Sequence, residues 1–203
     1  MVKIKGNSHI VSYEDHMVVE KKDEFGWRIY IRMELLTPLL TKVQSEEMSR
    51  QDVIQLGIDI CKALEVCQKY QIIHRDIKPE NIFVSDIGAY KLGDFGIARQ
   101  LEKTTYGLSR KGTILYMAPE VYLGREYNHT VDIYSLGVVL YRYMNDNRLP
   151  FLPDASKTIT YGDKEKANQF RLSGQRLKPP CHAEPELARI ILKACEYNPH
   201  ERY

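Results

Sequence analysis

Eight residues of the chain read His74-Arg75-Asp76-Ile77-Lys78-Pro79-Glu80-Asn81, with an apolar run before them (Ile72-Ile73) and another after them (Ile82-Phe83-Val84). Scaffolding alone does not explain a loop that places aspartate, lysine, asparagine and arginine together between buried strands. The residue types suit a definite chemistry. A carboxylate can accept a proton from an attacking group. A carboxylate and an amide oxygen are ligands of the kind a hard divalent cation takes. A lysine sets a point charge where negative charge gathers. A second carboxylate follows in Asp94-Phe95-Gly96, and then comes Gly112-Thr113-Ile114-Leu115-Tyr116-Met117-Ala118-Pro119-Glu120. Asp-Phe-Gly alone is often an ordinary turn. The signal lies in three segments in this order, at these distances.

The elements that must hold these residues follow from patterning. Ile10-Val11-Ser12-Tyr13 and Met17-Val18-Val19 are apolar and β-branched, and Asp23-Glu24-Phe25-Gly26 reads as a turn. Trp27 to Leu35 alternates, which predicts a half-buried hairpin strand. Ser49-Arg50-Gln51-Asp52 resembles a capping box with Asp in place of Glu. Val53, Leu56, Ile60, Ala63, Leu64 and Cys67 follow at helical spacing, so a helix is predicted from about Ser49 to Tyr70. Short strands and tight turns run on to Asp94, and an irregular stretch of a length that is usually functional runs from there to Glu120. Val131 to Met144 is apolar on nearly every side, the mark of a helix buried inside a helical lobe. Asp163 to Leu172 and Glu186 to Tyr197 read as two further helices, the last stopped by Pro199.

A chain of 203 residues fits one large domain or two small lobes and can bury a core without staples. A net charge of only +2, with no long basic run, argues against a nucleic-acid surface. Cys61, Cys67, Cys181 and Cys195 form no C-x-x-C pair. Cys61 and Cys67 fall in a helical pattern and read as buried reduced thiols, from which a cytoplasmic location follows. No signal peptide opens the chain and no apolar run reaches ~18 residues, so no membrane segment is predicted within it. An anchor outside this stretch stays open.

In order and spacing, the three segments resemble the protein-kinase signature, and the likeness runs the whole length of the chain. It implies an α+β, protein-kinase-like two-lobe fold. Residues 1–36 would be a remnant of the N-terminal lobe, with strands and hinge. Residues 37–203 would be the C-terminal lobe, with catalytic loop, activation segment and helical core. It also implies ATP, with Mg²⁺ or Mn²⁺, and protein Ser/Thr hydroxyls as acceptors. Lys78-Pro79-Glu80-Asn81 resembles the serine/threonine branch rather than the tyrosine branch. Asp132-Ile133-Tyr134-Ser135-Leu136-Gly137 and Asn147-Arg148-Leu149-Pro150-Phe151-Leu152-Pro153 are most similar to bacterial kinases of the eukaryotic-like (Hanks) type.

By that resemblance Asp76 is the catalytic base, Lys78 meets the transferring phosphate, and Asn81 and Asp94 hold the metal. Thr113 bonds the catalytic Asp and Lys. Met33 stands at the back of the adenine pocket, Glu34, Leu35 and Leu36 form the hinge, and Phe83 forms the floor. Arg75 and Arg99 form a phosphate pocket for the activation segment. Its candidate acceptors are Thr104, Thr105 and Ser109, with plain loop hydroxyls as the alternative. Glu80 either prefers a basic residue beside the target hydroxyl or has no such role. Glu120 and Arg202 make a buried ion pair, and Asp132 bonds the catalytic-loop backbone near His74 and Arg75. Tyr13, His74 and Phe95 stack as an apolar spine.

The family also carries a glycine-rich loop over the phosphates, a strand lysine, and a helix glutamate that fixes that lysine. No G-x-G-x-x-G and no V-A-I-K-like strand precedes the catalytic loop. Lys5-Gly6-Asn7-Ser8-His9-Ile10-Val11 matches the stretch just after the regulatory helix, so the lysine is expected upstream of Met1 rather than at Lys3 or Lys5. Both ends therefore read as cut, and little or no kinase activity is expected from the chain alone. The remaining strands are expected to present unpaired edges and an apolar face. Two other readings compete. The complete set Asp76, Lys78, Asn81 and Asp94 argues against a pseudokinase or non-catalytic binding module. The intact Thr113–Glu120 segment argues against a small-molecule kinase. A kinase dimer in the full-length protein stays open.

Overall fold

The computed structural model describes residues 6–21, 24–95 and 113–203, without the Thr113 side chain. Two small antiparallel sheets precede and flank a helical body. Strands β1 (Tyr13–Glu20) and β2 (Trp27–Met33) form a ribbon whose register runs from Tyr13 opposite Met33 to Glu20 opposite Trp27, with a bulge between Tyr13 and Asp15. Strands β3 (Thr37–Pro38), β4 (Ile82–Val84) and β5 (Tyr90–Leu92) form the second sheet in that order. Ile10 does not open β1 as its β-branched run suggests. It bridges Leu92 in parallel and is buried.

The half-buried strand expected over Trp27–Leu35 is corrected. Every residue of β2 is exposed, including Trp27 (63%) and Ile29 (65%) on one face and Tyr30 (50%) on the other. Alternation in a sequence marks two faces, but burial needs something to cover one of them. The ribbon pairs only with itself among the described residues.

The described residues form six α-helices: α1 (Leu39–Ser45), α2 (Arg50–Lys69), α3 (Pro119–Tyr122), α4 (Thr130–Tyr143), α5 (Tyr161–Leu172) and α6 (Pro185–Ala194). Helix α1 has no strong signal in the sequence, yet its Leu39 is fully buried. Helix α2 begins where the capping box predicts: Ser49 Oγ accepts from the Asp52 amide, and the Asp52 carboxylate accepts from the Ser49 amide. Its apolar stripe of Val53, Leu56, Ile60 and Ala63 is fully buried. Each large side chain there contributes about 1.5–3 kcal/mol. Cys67 shares that face, and burial pushes its thiol up to about 12. Cys61 is exposed, which corrects the buried reading. It follows Ile60 by one position, and a helix turns ~100° per residue, away from the core.

Helix α4 is buried on nearly all sides, from Val131 through Leu140. It meets α6 at Gly137, where an added Cβ would lie 2.7 Å from Cys195 Sγ and 2.9 Å from Ala194 Cβ. Helix α6 ends at Ala194, short of the expected Tyr197. Pro199 does not stop it but opens a 3₁₀ turn, Pro199–Glu201, that brings Arg202 back into the core. Among the described residues no helix is long and apolar enough to cross a membrane.

Candidate active site

Helix α4 braces the loop of Asp76 from beneath. The buried carboxylate of Asp132 accepts from the His74 amide through Oδ2 and from the Arg75 amide through Oδ1, both at 2.8 Å. Burial pushes this carboxyl upward, against the two backbone donors that pull it down. Arg75 takes a left-handed backbone (φ 68°), a shape that costs about 1–3 kcal/mol and persists only where its surroundings hold it. Asp132 supplies that hold, and the Arg75 guanidinium lies 5.3 Å from the centre of the Tyr127 ring.

His74 couples the loop to the Asp94 segment. Its Nε2 lies 2.8 Å from the Gly93 carbonyl, and its Nδ1 accepts from the Asp76 amide at 3.3 Å. With Nδ1 as acceptor, Nε2 is the ring nitrogen that donates to the Gly93 carbonyl. The ring also meets Phe95 edge to face, with centroids 4.8 Å apart. Tyr13, the third member of the expected stack, lies against His16 with ring centroids 6.0 Å apart.

Asp76 is the centre of the constellation. Lys78 Nζ donates to its Oδ2 at 2.9 Å and Asn81 Nδ2 to the same oxygen at 3.1 Å. Asn81 Nδ2 also donates to the Asp76 carbonyl at 2.7 Å. The other carboxylate oxygen, Oδ1, is buried and has no partner among the described residues. A buried polar atom without a partner costs about 1–3 kcal/mol, so it is kept for a reason other than stability. Both amide hydrogens of Asn81 are committed to Asp76, which leaves its Oδ1 as the group able to face a cation.

Asp94 is delivered by a close backbone approach. The Gly93 amide donates to the Asn81 carbonyl at 2.9 Å, tying the two candidate metal ligands together through the chain. A side chain at Gly93 would put its Cβ 2.7 Å from Phe83 Cε2 and 2.9 Å from Val11 Cγ2. The next residue, Asp94, is exposed and also left-handed (φ 52°). An amide oxygen from Asn81 and a carboxylate from Asp94 are hard donors, so the residues present fit Mg²⁺.

The expected adenine side has a different character. Phe83 sits half-buried on β4, opposite Pro38 and Lys91, and Leu36 is also half-buried. Met33 is exposed at the end of the uncovered ribbon. Glu34 donates its amide to the Ser12 carbonyl at 3.0 Å, and its carboxylate binds Lys91 at 2.7 and 2.9 Å. Burial would raise this carboxyl, but the hydrogen bonds from Lys91 and Ser12 outweigh it and hold it below its ordinary value.

Glu120 and Arg202 form the expected ion pair, Nη1 to Oε1 at 2.6 Å. Two residues were not anticipated. Arg171, buried on α5, donates to the carbonyls of Ile114 (2.8 Å) and Met117 and to Asn168 Oδ1 (2.7 Å). Arg142 of α4 donates to the Tyr116 hydroxyl at 2.6 Å. Together they hold the 113–117 stretch from two helices. Their spacing carries no signal for this, because each reaches a segment distant in the chain. Arg99, Thr104, Thr105, Ser109, the Thr113 side chain, Lys3 and Lys5 lie outside the described residues.

Comparison with known proteins agrees with this geometry. The protein kinase domain family matches residues 1–203. The serine/threonine-protein kinase PknB of Mycolicibacterium smegmatis is 36% identical over 156 residues, covering 74% of this chain and 24% of the relative. An Aurora kinase of Eremothecium gossypii is 32% identical over 178 residues, covering 86% of this chain and 46% of the relative. The serine/threonine-protein kinase AtPK1/AtPK6 of Arabidopsis thaliana is 31% identical over 194 residues, 90% of this chain and 41% of the relative. The chain thus spans less than half the length of each of these curated relatives. With its loop, its Asp94 segment and its buried brace, the chain belongs to the protein kinase family.

Proposed function

We propose that this chain carries the catalytic lower lobe of a kinase that moves the γ-phosphoryl group of ATP to Ser or Thr hydroxyls of proteins. The observation that carries the reading is the asymmetry of Asp76: Oδ2 is held by Lys78 and Asn81, while Oδ1 is buried without a partner among the described residues. Held this way, Oδ1 is the atom that receives the proton of the attacking hydroxyl. Lys78 sets its ammonium beside the base, where charge builds on the transferring oxygens. Asn81 Oδ1 and the Asp94 carboxylate would hold Mg²⁺, which when bound neutralises phosphate oxygens. The backbone of Glu34 and Leu36 pairs with adenine between Met33 and Phe83. Arg75 and Arg99 receive a phosphate placed on Thr104, Thr105 or Ser109. Protein acceptors and a cytoplasmic setting belong to the same reading.

The test is phosphate incorporation by this chain joined to a relative's glycine-rich loop and strand lysine, read by intact mass after incubation with Mg-ATP and a protein acceptor. Label lost in both Asp76→Asn and Asp94→Asn supports these roles; label that survives both overturns them. A second reading, a non-catalytic binding module, is favoured by the exposed apolar ribbon. A folded chain that, even when completed in this way, incorporates no phosphate and shows no calorimetric binding of Mg-ATP would select it.

A further inference from the structure

Three side chains of metal-ligating type meet just beyond the end of α4, outside the site described above. His182 Nε2 lies 2.6 Å from Asp146 Oδ1, and Cys181 Sγ lies 3.5 Å from Asp146 Oδ2. One ligand atom from each of the three falls within 4.8 Å of the others, and all three residues are exposed. The two contributing segments are pinned by backbone contacts. The His182 amide donates to the Met144 carbonyl at 3.0 Å, and the Cys181 amide to Asn145 Oδ1 at 3.2 Å. Asp146 and Asn147 both hold left-handed backbones, at φ 51° and 57°. Two such non-glycine residues in succession are uncommon.

We propose that Asp146, Cys181 and His182 form a zinc site with its fourth position open to water or to a ligand from outside the chain. The donor set decides the metal. A thiolate and an imidazole suit borderline-soft zinc and are not the oxygen donors that Mg²⁺ and Ca²⁺ require. The spacing suits it too. With bond lengths of about 2.0–2.3 Å, tetrahedral zinc holds its ligand atoms roughly 3.3–3.7 Å apart. The Cys181–Asp146 separation of 3.5 Å already fits. His182 Nε2 sits against the other carboxylate oxygen at 2.6 Å and has to move out by roughly 0.7–1.1 Å for the metal to replace that hydrogen bond. On binding, the Cys181 thiol releases its proton to solvent. The imidazole keeps one proton, on Nδ1, and gives its Nε2 lone pair to the metal. Three protein ligands with one open position mark a zinc that takes an external ligand rather than a closed structural centre. Occupancy also ties the turn after α4 to the segment before α6.

Co²⁺ added to the reduced, folded chain is the first probe, with zinc as competitor. A saturable one-to-one near-ultraviolet sulfur-to-cobalt band is expected, displaced by zinc, together with a rise in melting temperature on adding zinc. Cys181→Ser should abolish both. His182→Ala and Asp146→Asn should each weaken binding roughly tenfold or more. Cys61→Ser, which removes the other exposed thiol, should change nothing. The proposal is overturned if no saturable band appears. It is equally overturned if the band survives Cys181→Ser, or if affinity is unchanged by both His182→Ala and Asp146→Asn. Asp146 and His182 would then be a plain surface ion pair.

Discussion

Arg202 grips Glu120 with both prongs of its guanidinium, Nη1 to Oε1 at 2.6 Å and Nη2 to Oε2 at 2.9 Å, across 82 positions of chain. Both side chains are almost wholly buried. Arg202 spends its remaining donors on the carbonyls of Thr130, Glu196 and Tyr197, and lies 4.8 Å from the centre of the Tyr134 ring. Removing one partner leaves the other charge buried and unpaired, which costs about 3–5 kcal/mol. Arg202→Met and Glu120→Leu should each lower the urea midpoint by a corresponding amount. The double variant Glu120→Leu with Arg202→Met should recover part of the loss. A double variant as unstable as the sum of the singles would show that the pair's other hydrogen bonds carry the stability.

Asp132→Asn tests the brace under the catalytic loop. An amide accepts through one oxygen only and turns an NH₂ group toward the second backbone donor. A cost of about 1–3 kcal/mol is expected. The diagnostic readout is hydrogen exchange at the His74 and Arg75 amides: protected in the parent chain, and faster than the α4 core in the variant. Equal protection in both would mean that the loop holds its shape without this carboxylate.

The N-cap of α2 sets a pH dependence. The Ser49 hydroxyl is the main cause that holds Asp52 below its ordinary carboxylate value, with the Ser49 amide and Lys42 adding to it against burial. A depressed folded-state value means this contribution is fully present above the unfolded pKa, ~3.9, and is lost as pH falls through the folded value. Asp52→Asn should therefore be less stable than the parent at pH 7, with the gap closing toward pH 2–3 as measured by urea midpoints. The cap as a whole is worth about 1 kcal/mol. A gap that persists at the acid end would assign the effect to the side chain's shape rather than its charge.

Two helical glycines should answer oppositely to alanine. Gly137→Ala forces a Cβ to within 2.7 Å of Cys195 Sγ and 2.9 Å of Ala194 Cβ between packed helices, and a loss of about 1–3 kcal/mol is expected. Gly57→Ala meets only the flexible end of Leu140, at 3.3 Å, and gains helix propensity of about 1 kcal/mol, so it should be neutral or stabilising. Thermal unfolding of both separates close helix approach from a general intolerance of alanine.

What the sequence determined by itself was local or carried by pattern. The Ser49–Asp52 box and the apolar stripe of α2 are legible because their interactions span a few residues at a fixed period. The long-range contacts Asp132 to His74 and Glu120 to Arg202, 58 and 82 positions apart, entered only through the likeness to a family, since no spacing rule reaches that far. Tertiary structure alone decided the rest. Whether the β2 alternation is buried depends on a covering layer that the strand's own residues do not encode. The Asp76 Oδ1 left without a partner among the described residues, the grip of Arg171 on Ile114 and Met117, and the meeting of Asp146 with Cys181 and His182 each depend on which distant segments converge. Convergence is set by packing of the whole core, and a side chain's chemical use there follows from what packs beside it, not from its neighbours in the chain.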